Sequence, residues 1–296
     1  KVCAISGKFA VRNPQLELLL ESKLNTIGYQ KAFLGSELSG ELNFIRRTNS
    51  AYFSAQVYDL FNKFSKQITK AVRKRGVKAP IYVLKADGGT LPLKEALKQP
   101  VEAVFTGPAA SVLGIAALSA PQTNSISLDV GGTTTDIAFW ENGLPLLSKK
   151  GAVINGYPTA VRSFFMRSVG IGGDSLVKKV DGKYQVGPMR KGPAVAVGGK
   201  EATLSDALIT AGYVNFGNKI LAQKAIKTFG DDIVEEAKKI VAVAIHTIIK
   251  VIEEMLATWE KQPVYTVKDV ICGTKFEPKQ LIGVGAVSYT HLRAHE

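Results

Sequence analysis

With 296 residues, 46% of them hydrophobic and 21% charged, the chain reads as an ordinary soluble globular protein with apolar sequence for one large or two moderate domains. Its net charge of +13 favours anionic partners such as nucleotides or phosphorylated substrates, but the 38 Lys and Arg are spread along the chain and read as solvated surface, which argues against nucleic acid. No apolar run reaches the ~18–20 residues of a membrane span, so no membrane span is expected, and no signal-peptide pattern appears at Lys1.

Lys1 leads straight into Val2-Cys3-Ala4-Ile5, which reads as domain interior, so the chain is expected to be a fragment. Cys3 and Cys272 lie far apart without metal-ligand spacing and fit a reduced, cytoplasmic compartment. Leu16, Leu19, Leu20 and Leu24 predict a helix from Pro14, with Asn13 as its cap. Lys31 to Leu34 follows as a strand. Asn49 or Ser50 is expected to open a long helix whose stripe of Phe53, Val57, Leu60, Phe61, Phe64, Ile68 and Val72 reads as core. It is expected to end at Arg75-Gly76. The densest basic cluster, residues 70–78, then lies where a helix dipole favours cations.

Next come a short buried strand, Ile81 to Leu84, the turn Asp87-Gly88-Gly89-Thr90, a helix from Leu91 to Leu97, a strand Ala103-Val104-Phe105 and a helix of small residues to Ser119. This is an α/β alternation, and the turns near Asp87 and Gly107 stand where ligands bind in open α/β sheets. Leu144 to Ile154 is expected to supply a third strand beside the hairpin described below. Residues 169–175 form a glycine-rich turn, Asp181-Gly182 a hairpin turn, residues 191–202 a Gly/Pro/Ala loop, and Leu204 to Gly212 a helix. Asp231 to Trp259 reads as the longest helix, with His246 as a satisfied core or surface histidine. Val267 to Thr274 and Gln280 to Ala286 read as strands, and residues 287–296 as a non-native tail.

The chain is organised around Ser125 to Trp140. Ile126, Leu128 and Val130 alternate with polar residues, which predicts a strand. Gly131 and Gly132 permit positive φ and remove side chains that would keep a ligand off the backbone. Thr133, Thr134 and Thr135 follow, framed by Asp129 and Asp136. Backbone N–H groups and hydroxyls in such a turn suit phosphate oxygens, and the two carboxylates suit Mg²⁺ beside them. The alternative is a plain hairpin with a Gly-Gly turn.

These residues resemble the hydantoinase A / 5-oxoprolinase family of the actin-like ATPase superfamily. The likeness rests on ordered blocks at residues 86–89, 105–110, 129–136, 169–175, 186–188, 204–207 and 282–286. It implies an actin-like, ribonuclease-H-like α/β ATPase fold, incomplete at the N-terminus. Residues 1–120 would complete the first lobe and its crossover, and 121–286 would form the second lobe. It further implies ATP and Mg²⁺, opening of a small cyclic amide of the hydantoin or 5-oxoproline type through a phosphorylated intermediate, a hydantoinase B-type partner subunit and an oligomer. An ATP-using subunit of a related carboxylase, a non-catalytic actin-like sensor or binding module that holds nucleotide without turnover, and a small-molecule kinase are the alternatives. Asp129 and Asp136 would act in catalysis and bind metal. Gly131, Gly132, Thr133, Thr134, Thr135, Gly107, Gly172, Gly173, Gly283 and Gly285 would face nucleotide. The family's N-terminal phosphate loop is absent here, so the Asp129–Asp136 turn corresponds to the second one. Asp174 stands where the family's turn has a third glycine, and would add a metal-facing carboxylate or mark a divergent substrate. No general base stands out among Asp87, Asp174 and Asp206, each of which also reads as a turn or cap residue.

Overall fold

The computed structural model describes residues 1–119, 121–261 and 276–285, and the chain divides into two units, Lys1–Leu113 with Leu147–Phe165, and Gly114–Leu146 with Met166–Glu296. In the first unit, β1 (Val2–Ile5) and β2 (Lys31–Leu34) pair in parallel around the crossover helix α1 (Gln15–Thr26). The Asn13 side chain accepts the Gln15 N–H as expected. Only the end of the leucine stripe faces inward: Leu24 packs against Ile5, Ala32 and Leu34, whereas Leu16, Leu19 and Leu20 are exposed, and Glu17 is the buried residue. Its carboxylate accepts the Gly7 N–H at 2.6 Å and the Ser36 N–H and hydroxyl at 3.0 and 2.6 Å, so a polar anchor sets the inner face.

After α2 (Gly35–Leu38), α3 (Phe44–Lys74) begins earlier than the apolar stripe suggests, because the Asn43 side chain caps it on the Arg46 N–H. It ends at Arg75 with Gly76 at φ +76°, as expected. Its stripe is core only at the start: Phe53 is buried, whereas Leu60 and Phe64 are exposed. The buried Arg47 guanidinium instead donates to the carbonyls of Glu41, Gly7 and Lys8. β3 (Tyr82–Leu84) pairs antiparallel with β4 (Thr90–Pro92), and Tyr82 is exposed, so this strand is not buried. α4 (Leu93–Ala96) leads to a 3₁₀ turn, Pro100–Ala103, and then α5 (Thr106–Leu118). The strand expected at 103–105 is absent: Pro100 starts the 3₁₀ turn, and Phe105 at φ +66° turns the chain into a helix with Pro108 in its first turn.

The second unit is built on β5 (Ser125–Val130) and β6 (Thr135–Glu141), with β7 (Leu144–Pro145) a two-residue extension. The segment 144–154 is therefore not the third strand. It runs into the first unit, where β8 (Val153–Ile154) and β9 (Tyr157–Pro158) form their own hairpin. The third strand is β10 (Met166–Val169). β11 (Val177–Val180) and β12 (Lys183–Val186) follow, turning through Asp181 and Gly182 at φ +49° and +75°. Then come α6 (Leu204–Thr210), α7 (Lys219–Lys227) and α8 (Ile233–Glu260). α8 has 28 residues against 31 in α3, so it is not the longest helix. Ala237, Ile240, Val241, Ala244 and Ile248 line its buried side, and His246 is exposed. β13 (Gln280–Val284) pairs parallel to β5, giving the order β10-β6-β5-β13. The strand predicted at 267–274, Cys272 and the tail 287–296 lie outside the described residues.

Ile126, Leu128, Val130, Ile137 and Phe139 fill the core of this sheet, but Ser125 and Ser127 are buried as well. The β5–β6 hairpin is thus covered on both faces, and the fully buried Trp140 donates its indole N–H to Ser127 Oγ at 2.8 Å. Among the described residues, no helix is long and apolar enough to cross a membrane.

Candidate functional site

The ends of β5 and β6 carry the site. The turn closes through the Gly131 N–H on the Thr134 carbonyl at 2.9 Å. Neither Gly131 nor Gly132 has positive φ, contrary to the sequence expectation. What these glycines supply is room. The second glycine-rich turn packs directly on the first, with Gly173 and Asp174 N–H donating to the carbonyls of Gly131 and Gly132 at 3.0 and 2.7 Å. A Cβ on Gly172 would stand 2.6 Å from Gly131 O and Thr133 N. On the other flank, Gly285 at φ +99° lies against Asp129 and Val130, and a Cβ there would stand 2.3 Å from Asp129 Oδ1. Three backbone segments distant in sequence therefore meet without side chains between them.

Helix α6 holds the second turn in place. Leu204 and Ser205 N–H donate to the carbonyls of Ser175 and Gly173 at 3.0 and 2.8 Å, and the Ser175 hydroxyl accepts the Gly172 N–H at 2.9 Å. Among the described residues, the N–H groups of Gly132, Thr133 and Thr134 and the hydroxyls of Thr133 and Thr134 have no hydrogen-bond partner. They are the donors a phosphate would use. Thr135 does not belong with them. It is fully buried and donates its hydroxyl to the Ile171 carbonyl at 2.7 Å, which ties the two turns together.

Asp129 and Asp136 stand opposite each other in the β5–β6 register, on one face of the sheet. Burial raises the Asp136 pKa; a hydrogen bond with Ser168, its β10 neighbour, opposes that shift, and the Asp129 charge adds to it. Asp136 Oδ1 is buried without a hydrogen-bond partner among the described residues. Two like charges with an unsatisfied oxygen suit a hard divalent cation, and Mg²⁺ is commonly held by one or two carboxylates plus phosphate oxygens and water. Among the described residues there is no cluster of three or more His, Cys, Asp or Glu that could hold a metal ion.

The remaining candidates separate. Gly283 lies within β13 opposite Leu128, and Gly107 stands in the first turn of α5 in the other unit, with open space at its Cβ position. Asp174 is ion-paired to Arg190 at 2.7 Å, and its Oδ2 would be 2.9 Å from a Cβ on Gly132. The Asp174 carboxylate is thus engaged by Arg190. Asp206 is fully buried in a capping box with Thr203 and accepts the Val195 and Ala196 N–H groups, so it is structural. In the first unit, Asp87 accepts the Gly89 N–H and lies 3.6 Å from Lys85, which also pairs with the buried Glu102 at 3.1 Å. Sequence reasoning missed Arg190 and Ser168, since nothing in local spacing links either to the turn.

The sequence profile of the hydantoinase/oxoprolinase family matches residues 47–285. The chain is 26% identical over 224 residues to the caprolactamase alpha subunit of Pseudomonas jessenii, covering 72% of this chain and 32% of that one. It is 26% identical over 226 residues to the acetophenone carboxylase gamma subunit of Aromatoleum aromaticum, covering 70% and 30%. The chain thus spans about a third of the length of the curated relatives it matches. The crystal structure of the ATP-dependent caprolactamase from Pseudomonas jessenii superposes with a TM-score of 0.69 at 23% identity, over 99% of this chain and 44% of that one. That likeness shows the fold to be the actin-like α/β fold. From the matched residues, the chain belongs to the hydantoinase/oxoprolinase family.

Proposed function

We propose that this chain carries the second phosphate loop of an ATP-dependent hydrolase that opens a small cyclic amide, and that it works with a partner subunit of the hydantoinase B type. The observation that carries this is the meeting of the 131–134 turn, the 172–174 turn and Gly285 beside the opposed Asp129 and Asp136. The family assignment supports it, as does a relative named as a caprolactamase subunit. In this reading residues 1–120 belong to a first lobe and 121–286 to a second.

Mg²⁺ and ATP, when bound, would supply a phosphoryl group that turns an amide oxygen into a leaving group, which an unstrained lactam otherwise lacks. The chain's own contribution is positional and electrostatic. The N–H groups of Gly132, Thr133 and Thr134 would face phosphate oxygens, with the Thr133 and Thr134 hydroxyls beside them. Asp129 and Asp136 would hold the metal. Gly172, Gly173 and Thr135 would keep the turns in register, and Gly285 keeps the Asp129 side free of a side chain.

The test is ATP turnover by the full-length protein, both phosphate loops present, with and without hydantoin, N-substituted hydantoins, 5-oxoproline and caprolactam, since this chain with one loop is expected to be inactive alone. Stimulation by one of these, lost in Asp129→Ala, is the expected result. Magnesium-dependent ATP binding with no stimulation by any amide would overturn the hydrolase reading. Bicarbonate-dependent turnover would then favour a carboxylase subunit, as the acetophenone carboxylase relative suggests.

A further inference from the structure

A cavity of about 290 Å³ opens beside the second glycine-rich turn, and Asp174 belongs to both. Its other walls include Leu176, Pro193, Lys191, Lys200 and Glu201. The loop that forms it is fixed from within. The buried Asp206 carboxylate accepts the Val195 and Ala196 N–H groups at 3.0 and 2.9 Å, and the Gly199 N–H closes on the Ala194 carbonyl at 2.9 Å. Gly198 at φ +98° makes the bend. A loop anchored by a buried charge does not need a ligand to take its shape, so the cavity is preformed.

The charges around it are unequal. Lys191 is paired with Glu201 at 3.1 Å and Arg190 with Asp174 at 2.7 Å, whereas the exposed Lys200 has no ionic partner among the described residues. The lining thus offers one free ammonium, an apolar wall from Leu176 and Pro193, and a second ammonium that can exchange partners. That combination suits a small molecule with an apolar body and one carboxylate.

Its position also matters. The sheet order puts β13 and Gly285 on the β5 flank of the 131–134 turn, and β10 with the 172–174 turn on the β6 flank. A nucleotide lying toward Gly283 and Gly285 leaves the Asp174 side for a second ligand. We infer that this cavity is the acceptor pocket, and that Lys200 selects cyclic amides bearing a carboxylate over neutral ones. This rests on the amide-opening function proposed above.

The experiment is isothermal titration calorimetry of the 296-residue chain with 5-oxoproline and with 2-pyrrolidinone, the same lactam ring without its carboxylate. 5-Oxoproline is expected to bind about tenfold more tightly or better, since a charge-assisted contact is lost in the neutral ring. Lys200→Gln should reduce that preference to about threefold or less, Lys200→Arg should keep most of it, and Lys191→Gln should lower it in part. Equal affinity for the two lactams, absence of binding by both, a preference unchanged in Lys200→Gln, or displacement of 5-oxoproline by Mg-ATP would each overturn the assignment. The two proposals fail separately. Turnover stimulated equally by charged and neutral amides defeats the pocket alone, while a Lys200-dependent preference without amide-stimulated turnover defeats the amide-opening function alone.

Discussion

Replacing Gly172 by alanine probes the junction on which the site depends. The added methyl would lie 2.6 Å from Gly131 O and Thr133 N and 2.7 Å from Gly132 C, all backbone atoms that cannot swing aside. Carbon atoms in comfortable contact sit roughly 3.5–4.0 Å apart, so the two turns must separate by roughly 0.5–1 Å. That movement strains the packing and stretches the Gly173–Gly131 and Asp174–Gly132 hydrogen bonds, now 3.0 and 2.7 Å. Overpacking costs about 1–3 kcal/mol and each hydrogen bond contributes about 1 kcal/mol net, so a loss of about 2–4 kcal/mol is expected. Urea unfolding followed through the buried Trp140, in a Trp259→Phe background, should show a lower midpoint with an unchanged slope. Nucleotide affinity should fall about tenfold or more, because displaced N–H donors no longer converge. If unfolding stayed within about 0.5 kcal/mol of the parent and ATP bound equally well, the tight junction would not be what orders the loop.

Asp136→Asn should raise the stability of the nucleotide-free chain slightly, by up to about 1 kcal/mol, while abolishing magnesium-dependent ATP binding, since it relieves a like-charge pair and removes a ligand; thermal melts with and without Mg-ATP check both signs. Asp206→Ala should cost about 3–5 kcal/mol, because it leaves the Thr203, Val195 and Ala196 N–H groups without their buried acceptor, and 5-oxoproline binding should weaken with the loop. Glu236 accepts hydrogen bonds from Tyr184, then Lys179 and Lys239, and these lower its pKa from the ordinary 4.5 to about 2. Its folded pKa lies below its unfolded one, so its contribution is present above pH 4.5 and is lost as pH falls towards 2. Glu236→Gln should therefore flatten the acid limb of the stability curve in that window. Trp140→Phe should cost about 1–3 kcal/mol by emptying space and removing the donor to Ser127, as read by urea unfolding.

The hairpin at 125–141 was legible because its signals are local. A period of two, a Gly-Gly turn and two framing aspartates specify strands, a bend and opposed carboxylates before any distant contact forms. The helix ends at Gly76, the Asp181-Gly182 turn and β13 were legible for the same reason. The apolar stripes were less informative, since a stripe shows that a helix has a side, not what covers it. Leu16, Leu19, Leu60 and Phe64 fit helical spacing yet lie exposed, while Glu17 and Arg47 are buried where N–H groups and a hydroxyl meet the carboxylate and carbonyls meet the guanidinium's terminal nitrogens. Only the tertiary structure decided that Met166–Val169, not residues 144–154, completes the sheet, that Thr135 ties turns instead of facing a ligand, and that Asp174 pairs with Arg190. Those facts depend on which backbone segments approach within hydrogen-bond distance, and local spacing carries no information about partners tens of residues away.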